Sequence, residues 1–301
     1  MLPSCPAPTR KRFLPMTDTA EPTAAAPGRL DGKVTVITGA ARGVGRSCAL
    51  AFAAEGSDLM LVDVDGEVPG VPYPLSTVSQ LDHTAEMCRR EGVEVLTATA
   101  DVRDLSALEE VRDVVLSRYG KVDALINSAG IVAPSGSPVH ETTEAEWELL
   151  LNVDLSGAWR TTKLFAPLMA ERRSGSIVNI ASTAGLVGYR YFAGYVAAKH
   201  GLIGLTKASA LDYAPMRVRV NAVCPGNIRD DPEMEGRMLS EVARALDLLA
   251  DGHQELFTEQ QPMNTLTDPA DVAAAALWLA CDASRHVTGT AIPVDAGYTV
   301  R

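Results

Sequence analysis

From residue 33 onward the chain alternates short runs of β-branched and aliphatic residues with longer stretches whose apolar positions recur at helical spacing. Strands that are apolar throughout, separated by amphipathic segments, predict a parallel sheet covered on both faces. Strands are expected at 33–38, 58–62, 93–99, 124–127, 176–180, 218–223 and 291–294. Helices are expected at about 45–55, 82–91, 105–119, 144–172, 194–214 and 269–281. Two segments break the rhythm. Residues 64–81 carry three prolines and two glycines, which predicts an irregular connection longer than is usual in such units. Residues 227–265 place Met234, Met238, Leu239, Leu246, Leu248, Leu249 and Phe257 at roughly helical intervals, either a cover over an apolar substrate or ordinary helix packing.

With 301 residues, 47% of them apolar, the chain can bury one large α/β domain, expected over residues 30–301. Residues 1–29, rich in Pro, Ala and Thr, lack the apolar centre of a secretory signal and read as a disordered leader, with Met16 as an alternative start. A net charge of −11 argues against a nucleic-acid partner, and Arg10-Lys11-Arg12 is too short to reverse that. The longest apolar stretch, 272–281, falls short of the roughly 20 residues a membrane span needs, so no membrane partner is expected. Five scattered cysteines form no C-x-x-C pair and five histidines no metal-binding spacing; no metal is expected, and a reducing cytoplasm fits.

Chemistry enters at Thr38-Gly39-Ala40-Ala41-Arg42-Gly43-Val44-Gly45, a glycine turn between a strand and a helix. Absence of Cβ atoms lets a dinucleotide pyrophosphate approach backbone amides at a positive helix end. Asp63 closes the second strand, where a carboxylate accepts hydrogen bonds from adenosine ribose hydroxyls and repels a 2′-phosphate. NAD is therefore expected in preference to NADP, although Arg42 pulls the other way. Downstream, Tyr195 and Lys199 lie four residues apart and share a helix face, with Ser182 at a strand end 13 residues before the tyrosine. A free phenol, with a pKa near ~10, is a poor base at neutral pH; a neighbouring ammonium, together with the positive charge of an oxidised nicotinamide, is expected to lower it. Ser182 is placed to hold a reacting oxygen.

Taken with Asp101, Asn127-Ser128-Ala129-Gly130, Asn152 and Pro225-Gly226, these residues make the chain resemble the short-chain dehydrogenase/reductase family over about residues 30–301. The resemblance implies a single-domain Rossmann fold with a doubly wound, parallel, seven-stranded sheet in the order 3-2-1-4-5-6-7. It implies a catalytic tetrad of Asn152, Ser182, Tyr195 and Lys199, with the tyrosine as general acid/base. Cofactor contacts are implied for Gly39, Arg42, Gly43, Val44, Gly45, Asp63, Val64, Asp101, Val102, Asn127, Ala129, Gly130, Pro225, Gly226 and Ile228, besides Tyr195 and Lys199. A homotetramer built partly on 144–172 and 195–212 is implied as well.

Two departures stand out: Ser128 in place of a second Asn, and Asn227-Ile228-Arg229-Asp230-Asp231 where the family commonly sets a Thr after Pro-Gly. Asp230 or Asp231 would bring negative charge beside the nicotinamide. The 64–81 segment looks like the insertion of the mycofactocin-associated, carveol dehydrogenase-like branch, in which NAD is held tightly. An NAD-dependent dehydrogenase of a small secondary alcohol or ketone is the reading these residues favour. An NADP-dependent biosynthetic ketoreductase and a non-catalytic dinucleotide sensor are its alternatives.

Overall fold

A computed structural model describes residues 28–248 and 253–301. Most of the expected leader, and Leu249 of the expected cover, lie outside the described residues. In chain order the elements are β1 (Val34–Thr38), α1 (Gly43–Ala54), β2 (Asp58–Asp63), α2 (Val78–Arg89), β3 (Val95–Thr99), α3 (Leu105–Tyr119) and β4 (Ala124–Asn127). They continue with α4 (Glu144–Leu151), α5 (Ala158–Arg172), β5 (Gly175–Ile180), α6 (Ala193–Tyr213) and β6 (Val218–Pro225). The last are α7 (Met238–Ala245), α8 (His253–Glu259), α9 (Pro269–Ala280) and β7 (Ala291–Val294).

The seven strands form one all-parallel sheet in the order β3-β2-β1-β4-β5-β6-β7. β1, β4 and most of β2 and β6 are buried on both faces, which explains their continuous apolar runs. On one face Cys48 and Phe52 of α1, Leu81 and Ala85 of α2, and Val272 and Ala276 of α9 cover the sheet. On the other, Leu108 and Val115 of α3, Phe165 and Met169 of α5, and Ala210 of α6 do so. Because β2–β3 and β4–β7 lie on opposite sides of β1, the crossovers diverge there and leave a crevice at the strand carboxyl ends. Among the described residues no helix is long and apolar enough to cross a membrane.

Two helices depart from expectation. α2 starts at Val78 because Thr77 and Gln80 form a reciprocal capping box that closes the proline-rich segment. The stretch 144–172 is not one regular helix: α4, capped by Thr143 and Glu146, gives way at Asn152–Gly157 to a widened π-type turn before α5. That turn is where the site diverges most from the sequence reading.

Candidate active site

A cavity of about 550 Å3 occupies the crevice. It is lined by Gly39, Arg42, Gly43, Val44 and Gly45 of the turn, by Asp63, Val64, Asp101 and Val102, and by Ala129 and Gly130. Ser182, Tyr195, Lys199, Pro225, Gly226 and Ile228 line it too. Of the residues expected at the site, only Asn127 and Asn152 are absent from this wall.

Asn127 is buried at the end of β4, where its amide donates to Asn179 at 2.8 Å and its oxygen accepts from Thr161 at 2.6 Å. It braces strand against helix. Asn152 stands at the start of the π-type turn with its side-chain oxygen held by the Arg160 guanidinium at 2.7 Å, so the structure does not bring it to the tyrosine. Two residues on, the extra residue in the turn swings Asp154 inward. Its carboxylate is 1% exposed, lines the cavity and sits 3.0 Å from the Lys199 ammonium. Both carboxylate oxygens also accept from the Ile131 amide at 3.3 Å. Sequence reasoning passed over Asp154. The available signal was a lone acid within the apolar run 149–155, which needs a buried cation to be tolerated.

Tyr195 and Lys199 occupy the first turns of α6, with the Lys199 Nζ 5.5 Å from the phenol ring centroid and 3.3 Å from the Ile180 carbonyl. Ser182 follows β5 and caps a short turn by accepting from the Ala184 amide at 3.1 Å. Lys199 acts in the expected direction but by itself does not acidify the phenol. Burial dominates and pushes the Tyr195 phenol above its ordinary value; Lys199 and Ser182 pull it down while Asp154 pushes it up again. Burial also works against the Lys199 ammonium, but Asp154 and Tyr195 outweigh it, and the amine is held protonated.

At the adenosine side, Asp63 is fixed rather than free. One oxygen accepts from the Ala41 amide at 2.8 Å; the other accepts from the Val64 amide at 2.8 Å and the Ser76 hydroxyl at 2.5 Å. A carboxylate offers about four lone-pair directions, so roughly one remains for a ribose hydroxyl. Burial pushes the Asp63 carboxyl up, against these donors and against Arg42. The Arg42 guanidinium is itself lowered by burial and faces Asp63 and Glu241, which offset its charge. Asp101 lines the cavity and is paired with Arg103 at 2.6 Å.

The two irregular segments both reach the cavity. From the 64–77 connection come Val68, Tyr73, Leu75 and Ser76, and the Tyr73 hydroxyl accepts from the Val132 amide at 3.0 Å. From the 227–265 region come Met238, Leu239, Leu246 and Phe257, while Leu248 packs beneath them. Asp230 and Asp231 serve as caps: Asp230 accepts from the Leu239 and Ser240 amides at 2.9 Å, and Asp231 from the Glu233 amide at 2.8 Å. The Met234 carbonyl accepts from the Gly43 amide at 2.6 Å, so residues 231–236 strap across the glycine turn. Arg46, fully buried, anchors that strap through the Glu233 carbonyl and the Glu235 carboxylate, each at 2.9 Å. Neither the strap nor its anchor was foreseen. Tyr189 and Tyr298 meet edge to face at 5.8 Å and both line the cavity, as do Tyr191 and Phe192.

Cys224 is buried behind Lys199, and burial pushes its thiol up to about 11, the behaviour of a structural cysteine. Among the described residues no group of three or more His, Cys, Asp or Glu side chains is placed to hold a metal.

Comparison with known proteins agrees with this fold. A family model described as Enoyl-(Acyl carrier protein) reductase matches residues 39–299. The chain is 39% identical to a (-)-trans-carveol dehydrogenase of Rhodococcus erythropolis, over 91% of this chain and 99% of that protein. It is 33% identical to a levodione reductase of Leifsonia aquatica, over 94% and 98% of the two chains. Among solved structures, a carveol dehydrogenase of Mycobacterium avium in complex with NAD superposes with a TM-score of 0.84 at 34% identity, covering 91% of this chain and all (100%) of that one.

Proposed function

The chain belongs to the short-chain dehydrogenase/reductase family, and from that premise we propose that it transfers a hydride between NAD(H) and an apolar secondary alcohol or its ketone. The observation that carries this is the shared cavity: the glycine turn and Asp63 open into the same space as Ser182, Tyr195 and Lys199. These residues would hold a dinucleotide: Gly39, Gly43 and Gly45 would admit its pyrophosphate, Asp63 and Asp101 would receive its adenosine, and Lys199 would bind its nicotinamide ribose. Bound NAD supplies the hydride acceptor or donor. Ser182 holds the substrate oxygen by a hydrogen bond, and Tyr195 gives a proton to it in reduction or removes one in oxidation. Val68, Met238, Leu246 and Phe257 line the cavity with apolar surface, which excludes water and suits a compact hydrocarbon alcohol such as the relative's carveol.

The 64–77 connection and the 231–236 strap support tight retention of NAD, since both lie against the cofactor residues. Purified protein, denatured and assayed for released dinucleotide, is expected to yield NAD near one equivalent; empty protein would defeat tight retention. Activity is tested on a panel of cyclic secondary alcohols and ketones with NAD, NADP and an artificial electron acceptor. The acceptor reveals turnover by cofactor that does not exchange.

Arg42, the cation nearest Asp63 in the turn, is the observation that favours an NADP-dependent reductase instead. Asp63 decides between them, because its carboxylate lies inside the cavity and would meet a 2′-phosphate as a like charge. Asp63→Ala is expected to raise the NADP-to-NAD ratio of kcat/KM by about tenfold or more. An unchanged ratio would remove Asp63 from cofactor choice.

A homotetramer is part of this reading; it is supported by Trp159 and Leu211, which α5 and α6 leave 46% and 78% exposed. So is a reducing cytoplasm, in keeping with Cys48, Cys88, Cys224 and Cys281, all free and buried.

A further inference from the structure

We propose that Asp154 is a positioning residue that, through Lys199, fixes the charge of the acid–base site, so that Tyr195 keeps its proton at neutral pH and the site is set to give a proton to a carbonyl oxygen rather than to take one from an alcohol. The inference rests on the reading of Tyr195 as the proton-handling group. The geometry is that of a built pair. Asp154 and Lys199 are both buried, at 1% and 5% exposure, and their charged atoms lie 3.0 Å apart. The Ile131 amide anchors the carboxylate, and Gly130 leaves the room it needs: a Cβ there would fall 2.7 Å from Asp154 Oδ1 and 3.4 Å from Lys199 Nζ.

Charge counting gives the consequence. With no nicotinamide, or with a reduced and uncharged one, the site holds one ammonium, one carboxylate and a neutral phenol, and so is neutral as a whole. Loss of the next proton leaves a net negative charge in buried surroundings, which is costly. With a neutral side chain at 154, the same loss leaves no net charge. Tyrosine and lysine share that proton as a coupled unit, so the argument concerns the pair. The other ionisable groups facing it are Cys224 from β6, Tyr73 from the 64–77 connection and Tyr189 ahead of α6. Burial raises all three above their ordinary values, so none adds charge near neutral pH.

The test compares the unaltered protein with Asp154→Asn, which keeps shape and can still accept from the Ile131 amide. Tyr195 is isolated by subtracting the tyrosinate absorbance of the matching Tyr195→Phe protein, without substrate and with any retained nicotinamide in its reduced, uncharged form. In the unaltered protein tyrosinate is expected only above the pH range in which a free phenol ionises. In Asp154→Asn the midpoint falls by about one to three pH units. The low-pH limb of alcohol oxidation moves the same way, a gain of about tenfold or more in kcat/KM at neutral pH relative to the plateau. An unmoved midpoint with unmoved limbs overturns the proposal while leaving the dehydrogenase reading intact. If no alcohol or ketone turns over, that reading fails, and the absorbance titration still decides the role of Asp154. Should Asp154→Asn not fold, the unaltered protein suffices: a Tyr195 phenolate at pH 7 to 8 overturns the proposal.

Discussion

Tyr195→Phe is expected to bind NAD as the unaltered chain does and to lose about 10²- to 10⁴-fold in turnover, the usual contribution of a positioned acid–base group. The substitution removes one hydroxyl and leaves the ring, which packs in a cluster with Leu150, Val153 and Phe192. Lys199 keeps Asp154 as its partner, so neither the ion pair nor the cofactor wall loses a member. What disappears is the hydroxyl that, in the proposed reaction, gives a proton to the reacting oxygen or takes one from it. Steady-state kinetics with a responsive alcohol, alongside dinucleotide titration by fluorescence, checks both halves. Undiminished turnover would take Tyr195 out of the chemistry; lost NAD binding would make its role structural.

Gly45→Ala is expected to cost at least about 1–3 kcal/mol of stability and to weaken dinucleotide binding by more than tenfold. The reason is a close approach in which backbone meets backbone. A Cβ at position 45 would lie 1.8 Å from the Gly39 carbonyl oxygen and 2.6 Å from its carbon. Neither atom belongs to a flexible side chain, so α1 must shift against the end of β1. That shift opens the turn meant to hold the pyrophosphate. It also disturbs Arg46, the next residue, which donates to the Ala41 carbonyl at 2.6 Å and ties the strap at 231–236. Chemical denaturation and NAD titration report the two losses separately. A variant with unaltered affinity would mean that the turn is a structural feature only.

Much of the fold was readable because buried parallel strands are short apolar runs bounded by turn residues. Each of the seven observed strands begins and ends within about two residues of its expected place. Strand order was another matter: spacing alone carries no register, and it came from the family resemblance. The capping box Thr77/Gln80 was in plain view, yet the prolines before it drew the irregular reading too far, to residue 81. Periodicity also joined α4 and α5 into one helix. A π-type turn adds one residue without interrupting the apolar pattern, so only the backbone path reveals it.

That single turn explains the main miss in the site. Asn152 and Asp154 are two residues apart within that turn, and it is Asp154 that stands beside Lys199. The face shared by Tyr195 and Lys199 was legible, because positions four apart on one helix are neighbours. The ionisation of Tyr195 was not. It depends on burial, on Lys199 and on Asp154, the last lying 41 residues earlier in the chain and in another element. Similarly, the amides that Asp230 and Asp231 cap were not legible in the sequence, although Asp230 does line the cavity.

The most direct measurement of the central claim follows the hydride itself. A secondary alcohol deuterated at its carbinol carbon is incubated with the protein, and the dinucleotide pool, bound cofactor included, is extracted and weighed by mass spectrometry. One deuterium is expected on the reduced nicotinamide with the unaltered chain and almost none with Tyr195→Phe. Equal labelling by both proteins, or no labelling with any alcohol that enters the cavity, would contradict it.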